Sequence, residues 1–291
     1  MPPSSPAAMT SNPTIREQAY HWLMTADPGQ KSAGAANLYR QALMTDDAVI
    51  PRPPDETIVR VEDPGRPALP KLVPPRDLPR RITHTQEGRN AMAHAFAHIE
   101  FNAINIGLDA VYRFDDMPAA YYRDWLRVAS EEGKHFLLLA DYLAQHGSSY
   151  GDFPAHNSLW ETVCATDHDV MVRMALVPRV LEARGLDVTP AIADKLRLVG
   201  DQALVDILGV IYTDEIGHVE IGTRWFRHCA EQRQLDPRST FRDLLAEYMH
   251  GRIRGPYDEP GRMAAGFTRE EIDDLKAMEA QTLARLDKRH A

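Results

Sequence analysis

Two Glu-x-x-His tetrads, Glu132-Gly-Lys-His135 and Glu215-Ile-Gly-His218, stand 83 residues apart in a chain of 291. Each follows a further glutamate at nearly the same distance: Glu100 lies 32 residues before Glu132, and Glu182 lies 33 before Glu215. The order Glu … Glu-x-x-His is therefore written twice. Within a tetrad the i, i+3 spacing sets carboxylate and imidazole on one helical face, about one turn apart. Four helices carrying this order can aim four carboxylates and two imidazoles into one bundle core, where such a set holds two metal ions. The expected ligands are Glu100, Glu132, His135, Glu182, Glu215 and His218.

The neighbours of these residues argue that they point inward. At steps of three and four, Glu100 shares its face with Ala93, Phe96, Ala97, Ile104 and Val111. Glu132 shares its face with Trp125, Val128, Ala129, Phe136, Leu139 and Leu143. Glu215 lies among Leu204, Leu208, Ile211, Val219, Gly222 and Phe226. A carboxylate in the middle of an apolar stripe is carried into the core, where an unpaired charge is costly. Several such groups converging without cations would repel one another and largely protonate, whereas two divalent metals remove the difficulty. Oxygen and imidazole donors suit iron or manganese. The Glu182 segment differs, because Pro178 lies one turn before the ligand; it predicts a kink or a π-type irregularity, and Gly185 suits a helix end or a second adjustment soon after.

An acidic residue precedes each tetrad, Glu131 and Asp214. Each is placed to reach across and hold the outer ring nitrogen of the opposite histidine, Glu131 with His218 and Asp214 with His135; the alternative is a solvated charge. Tyr212, one turn before Glu215, is a candidate redox or hydrogen-bonding residue or a packed core tyrosine. His94 and His98 have i, i+4 ligand spacing but share the Glu100 face poorly, which favours a structural role or pocket lining. Glu220 reads as surface. Trp160 and the loop 147–157 lie in the long connection between the half-sites, where they could cover the site.

No segment alternates with period two, so the expected class is all-α, a four-helix bundle with additions at both ends. Residues 1–84 form an N-terminal part: a helical hairpin over 14–47, broken at Asp27-Pro28-Gly29, then a stretch with nine prolines over 48–84. Proline lacks a donor and restricts its predecessor, so this stretch is an extended connector that wraps the domain; a free linker is the alternative. Residues 85–233 carry the bundle and 234–291 a helical extension. In the extension, Asp236-Pro237 opens one helix and the capping box Thr268-Arg-Glu-Glu271 another, reaching about Lys288. Two cysteines, Cys164 and Cys229, make neither a Cys-x-x-Cys iron centre nor a disulfide scaffold. Their scarcity and the small, polar N-terminus point to the cytoplasm. A formal net charge of −9 gives no general attraction to nucleic acid or anionic membranes, although Arg76, Arg80 and Arg81 could form a local basic patch.

At these residues the chain resembles the ferritin-like superfamily of di-iron carboxylate proteins. It most resembles the DUF455 group, which is similar to the tRNA-hydroxylase (MiaE-like) branch and related to rubrerythrins. The stretches that carry the likeness are Pro64-Gly-Arg-Pro-Ala-Leu-Pro-Lys-Leu-Val-Pro-Pro-Arg-Asp77, His94-Ala-Phe-Ala-His-Ile-Glu100, Met174-Ala-Leu-Val-Pro-Arg-Val-Leu-Glu182-Ala-Arg-Gly-Leu-Asp187 and Asp214-Glu215-Ile-Gly-His218. Coverage runs from about residue 60 to 233. The resemblance implies a ferritin-like bundle with the same six ligands and two iron ions, as Fe2 or Mn/Fe. Where the group often has a second glutamate five residues after the first ligand, this chain has Asn105.

Three functions follow from this reading. The first is an O2-activating di-iron oxidoreductase that oxidises or hydroxylates an organic substrate, a small molecule or a modified tRNA base, with an unassigned electron donor and a homodimer left open. The second is iron handling, ferroxidase or peroxide-defence activity. The third is a non-enzymatic helical scaffold in which Arg179 and Arg184, flanking Glu182, satisfy the buried acids.

Overall fold

The computed structural model describes residues 13–47, 50, 57–79, 82–249 and 253–290, the side chains of 285–290 excepted. Arg80 and Arg81 of the suspected basic patch lie outside the described residues, as do Pro51, Pro53 and Pro54; Arg76 is exposed beside Asp77. Every regular element among the described residues is helical, and the one strand-like pairing is an isolated bridge between Leu72 and Ala155.

The hairpin breaks where its sequence dictates. Helix α1 (Ile15–Leu23) starts at a Thr14–Glu17 capping box. Helix α2 (Pro28–Met44) starts at Asp27, whose carboxylate accepts from Gln30 N at 2.8 Å, with Pro28 in the first turn. The two pack on the outside of α3 (Gln86–Arg113) and α4 (Ala119–Gln145) respectively. Among its described residues the proline-rich stretch holds one short 3-10 turn, Pro75–Asp77, and is tied down along its length. Gly65 N donates to Leu23 O (3.0 Å), Lys31 Nζ donates to Gly65 O (2.6 Å), and Trp160 Nε1 donates to Glu62 O (2.8 Å). It wraps the helices rather than hanging free.

Helices α3 and α4 form the largest contact in the molecule, and Gly107 allows it: a Cβ there would lie 2.8 Å from Trp125 O. Trp160 sits in a short helix, α5 (Ser158–Ala165), inside the long connection between the half-sites. The chain then enters α6 (Val170–Leu176), a π-helical segment (Val177–Glu182) and α7 (Ala183–Leu198), before the 31-residue α8 (Gln202–Gln232). Pro178 is the second residue of the π segment. Without an N–H, and with its ring against the carbonyl one turn back, proline spoils the α-helical hydrogen bond, and the register widens.

Of the two alternatives for Gly185, the helix end is not the one found. The helix runs on to Leu198 because Leu186, Ala193 and Leu196 beyond the glycine are buried, in a helix that packs along α8. That burial outweighs the helix penalty of one glycine, about 1 kcal/mol. Beyond α8, α9 (Pro237–Leu244) opens at Asp236 as expected, followed by a π turn (Leu245–Met249) and by α10 (Glu259–Ala264), which the sequence reading did not anticipate. Helix α11 (Arg269–His290) starts at the Thr268–Glu271 capping box.

Candidate metal centre

The inward stripes of α3, α4 and α8 bury what their spacing predicts, and three of the six candidate side chains (Glu132, His135 and His218) have no exposed surface. Glu100 is 3 % exposed, and Glu182 and Glu215 are 8 % exposed. The two imidazoles face each other with ring centroids 5.8 Å apart. Glu132 lies between them, with Oε2 3.2 Å from His135 Nδ1 and Oε1 3.0 Å from His218 Nδ1. Glu100 Oε2 approaches His135 Nδ1 at 3.3 Å, and Glu215 Oε1 approaches His218 Nδ1 at 3.7 Å. Donor atoms of Glu100, Glu132, His135 and Glu215 all lie within 4.8 Å of one another. Glu182 joins from the π segment, close enough to feel the charges of Glu215, Glu132 and His218.

The outer nitrogens are braced across helices. His135 Nε2 on α4 meets Asp214 Oδ2 on α8 at 2.9 Å, and His218 Nε2 on α8 meets Glu131 Oε2 on α4 at 2.8 Å. Each acid is in turn held by a base that the sequence reading did not single out. Arg127 Nε donates to Glu131 Oε1 (3.0 Å), and Lys134 pairs with Asp214. The i, i+4 spacing of Arg127 and Glu131 was a readable signal. Lys134, between the tetrad's own Glu and His, gave none. With Nε2 fixed outward, both Nδ1 atoms face the carboxylates.

Within the cluster, burial and then the charge of Glu132 push Glu100 well up from the usual carboxylate range. Burial and neighbouring acids do the same to Glu182 and Glu215. For Glu132, burial is outweighed by the hydrogen bond from Glu100 and the charge of His218, which hold it well down. Burial alone would lower His135, but Glu100 and Glu132 against Nδ1 lift it to about 11.

Elsewhere in the molecule a buried acid has an arginine. Asp109 pairs with Arg113 (2.7 Å) and Arg173 (2.8 Å), Asp187 with Arg262 (2.7 Å), and Glu271 with Arg179 (2.5 Å). The four cluster glutamates have no lysine or arginine partner among the described residues. Both oxygens of Glu182 and Oε2 of Glu215 lack hydrogen-bond partners, while Oε2 of Glu100 and Oε1 of Glu132 lie against the imidazole Nδ1 atoms, at 3.3 and 3.0 Å. Arg179 and Arg184 do not satisfy them: Arg179 turns to Glu271, and Arg184 donates to the carbonyls of Arg254 (2.8 Å) and Pro256 (3.1 Å). Orphaned buried oxygens converging with two oriented imidazoles are a donor set that could hold a metal ion.

The remaining candidates lie elsewhere. Tyr212 donates to Asp258 beside α10, and no contact joins it to the cluster. His98 is bound to Tyr150 OH (2.8 Å), and His94 Nε2 accepts from Gly151 N (2.9 Å). The loop 147–157 thus sits on the His94–His98 side of α3. Glu220 is a surface residue near Arg224. Asn105 is buried against the Lys31 ammonium, which also reaches the Leu23 and Gly65 carbonyls.

Residues 24–273 match the family described as a protein of unknown function, DUF455, and the chain belongs to that family. The match takes in residues 60–233 and continues on both sides of them. An uncharacterized protein of Haemophilus influenzae is 43 % identical over 278 residues, spanning 90 % of this chain and 93 % of the relative. No solved structure matches. No helix among the described residues is long and apolar enough to cross a membrane.

Proposed function

We propose that this protein is a di-metal carboxylate oxidoreductase of the ferritin-like type, in which α3, α4, the α6–π–α7 segment and α8 are the four bundle helices. The observation that carries the reading is the charge pattern. Four buried glutamates without a lysine or arginine partner surround two imidazoles, and two divalent ions would cancel the four carboxylate charges. Glu100 with His135 forms one half-site and Glu182 with His218 the other. Glu132, between both imidazoles, would serve both half-sites, with Glu215 beside it. Glu131 and Asp214 fix the imidazole orientation. Iron, as Fe2 or Mn/Fe, suits these donors, and a reduced pair supplies O2 activation. Hydroxylation of a C–H bond then consumes one O2, two electrons from an external donor and two protons, and releases one water.

The test is metal content by elemental analysis of protein from iron-replete cells, followed by anaerobic Fe(II) loading and exposure to O2. About two transition-metal ions per chain with rapid O2 consumption is expected. Protein that neither carries nor takes up Fe(II) would overturn the reading. Repeated Fe(II) turnover with mineral growth would assign it to iron handling instead.

A further inference from the structure

Between Asn90 and Arg113, α3 has a single exposed side chain, Ile99 at 46 %, immediately before Glu100. The gap is not on a flat surface. Ile99 forms a wall of a cavity of about 580 Å³, and Leu181, immediately before Glu182, lines it from the π segment. Leu176, Leu159, Thr162 and Met249 also line it, so α3, α5, the π segment and the C-terminal π turn all contribute. The two helical segments that present Glu100 and Glu182 to the cluster thus present the preceding residue of each to this one cavity. The wider π turn at Glu182 belongs to both. Such segments recur at functional sites, and the volume falls within the range of small-molecule pockets, roughly 300–1,000 Å³.

We infer that this cavity is the substrate chamber of the metal centre, and that its substrate is a small, uncharged, largely apolar organic molecule rather than a tRNA nucleotide. The inference rests on the metal-centre reading above. The lining decides the chemical class. Its aliphatic side chains are joined by hydroxyls from Ser158, Thr162, Thr166 and Tyr248 and by the His156 imidazole; neither arginine nor lysine lines it, and its one carboxylate is the exposed Glu161. A phosphate-bearing ligand needs cations at its contact surface and would meet repulsion here. An apolar molecule with one hydrogen-bonding group meets shape, burial and hydroxyl partners.

The experiment uses N-phenylnaphthylamine, a neutral apolar dye whose fluorescence rises on burial, and Co(II) as a spectroscopic occupant of the metal site. The full-length protein should bind about one dye per chain, and dye binding should shift the Co(II) visible absorption. Thr162→Trp fills the chamber from α5 without touching a ligand. It should weaken dye binding at least about tenfold and abolish the spectral shift, with Co(II) uptake unchanged. Ala165→Phe, at the exposed end of α5, provides the same test if the first variant does not fold. Dye binding that is unsaturable, or equal in parent and variants, would overturn the chamber while leaving the metal centre standing. Absence of Co(II) uptake by the parent would instead overturn the reading beneath it. Displacement of the dye by tRNA would overturn the substrate class.

Discussion

Glu131 on α4 holds the outer nitrogen of His218 on α8 at 2.8 Å, so the acid before one tetrad orients the imidazole of the other. Asp214 and His135 repeat the relationship in reverse at 2.9 Å. The two half-sites are therefore locked to each other. An acceptor on the far nitrogen keeps a ligating imidazole in one orientation and tautomer, and its loss costs about 10–100-fold in metal affinity. Glu131→Ala and Asp214→Ala should each weaken Co(II) or Mn(II) binding by that factor in competition titrations. Stoichiometry at saturation should stay unchanged, and Glu131→Gln, which keeps an acceptor, should fall between parent and alanine variant. Unaltered affinity in both alanine variants would mean that these acids are surface charges.

Glu182 yields a prediction of opposite signs. Neither of its oxygens has a partner, and burial pushes its carboxyl well up. An unsatisfied buried polar group costs about 1–3 kcal/mol. Glu182→Leu should therefore make the metal-free protein more stable by an amount of that order in urea unfolding. The parent should gain stability on metal addition, because a ligand that binds the folded state stabilises it, and the variant should lose most of that gain. A Glu182→Leu protein destabilised without metal would show that the carboxyl is satisfied by the protein itself.

The doubled spacing made the buried carboxylate–imidazole cluster legible because i, i+3 pairs on apolar stripes leave the carboxylates nowhere to point but inward, and Glu100, Glu132 and Glu215 are buried along those stripes. The π segment was legible for a local reason, since Pro178 spoils its own turn. What escaped was set by distant contacts. The continuation of α7 through Gly185 depends on the burial of Leu186 and Leu196, α10 is only six residues long, and the destination of Arg179 is Glu271, 92 residues away. Local patterns carry no record of such partners, and the scaffold alternative, which set Arg179 and Arg184 against the buried acids, does not describe where Arg179 goes.

Lys31 makes stability depend on pH. It is fully buried, with its ammonium on three oxygen acceptors and over the Phe101 ring, and burial lowers it to about 7. Unfolded, it keeps an ordinary value of about 10.4. Between these values the unfolded chain binds more protons than the folded one, so this contribution to stability rises as pH climbs from about 7 towards 10. Lys31→Met removes the rise, so the stability of the parent minus that of the variant should increase over that window in urea titrations at fixed ionic strength. A gap that is constant with pH would show that Lys31 does not change charge on unfolding.

Arg179 and Glu271 join the π segment to the C-terminal helix, and breaking them singly or together should have different consequences. Arg179 is fully buried, its guanidinium 3.9 Å from the Phe241 ring centroid and 4.6 Å from that of Phe267, and it donates to Glu271 at 2.5 Å. Glu271 also closes the cap of α11 through Thr268 N at 2.9 Å. Removing one partner of a buried pair strands the other charge, at a cost of about 3–5 kcal/mol. Glu271→Ala should destabilise by that order and, because Arg179 lies in the Glu182 turn, weaken metal binding as well. In Arg179→Met/Glu271→Ala no charge is stranded, and the methionine stays among the phenylalanines. The double variant should recover much of the loss, giving a coupling energy of about 0.5–3 kcal/mol in the double-mutant cycle. Additive losses would mean that the cap, not the ion pair, accounts for the effect of Glu271.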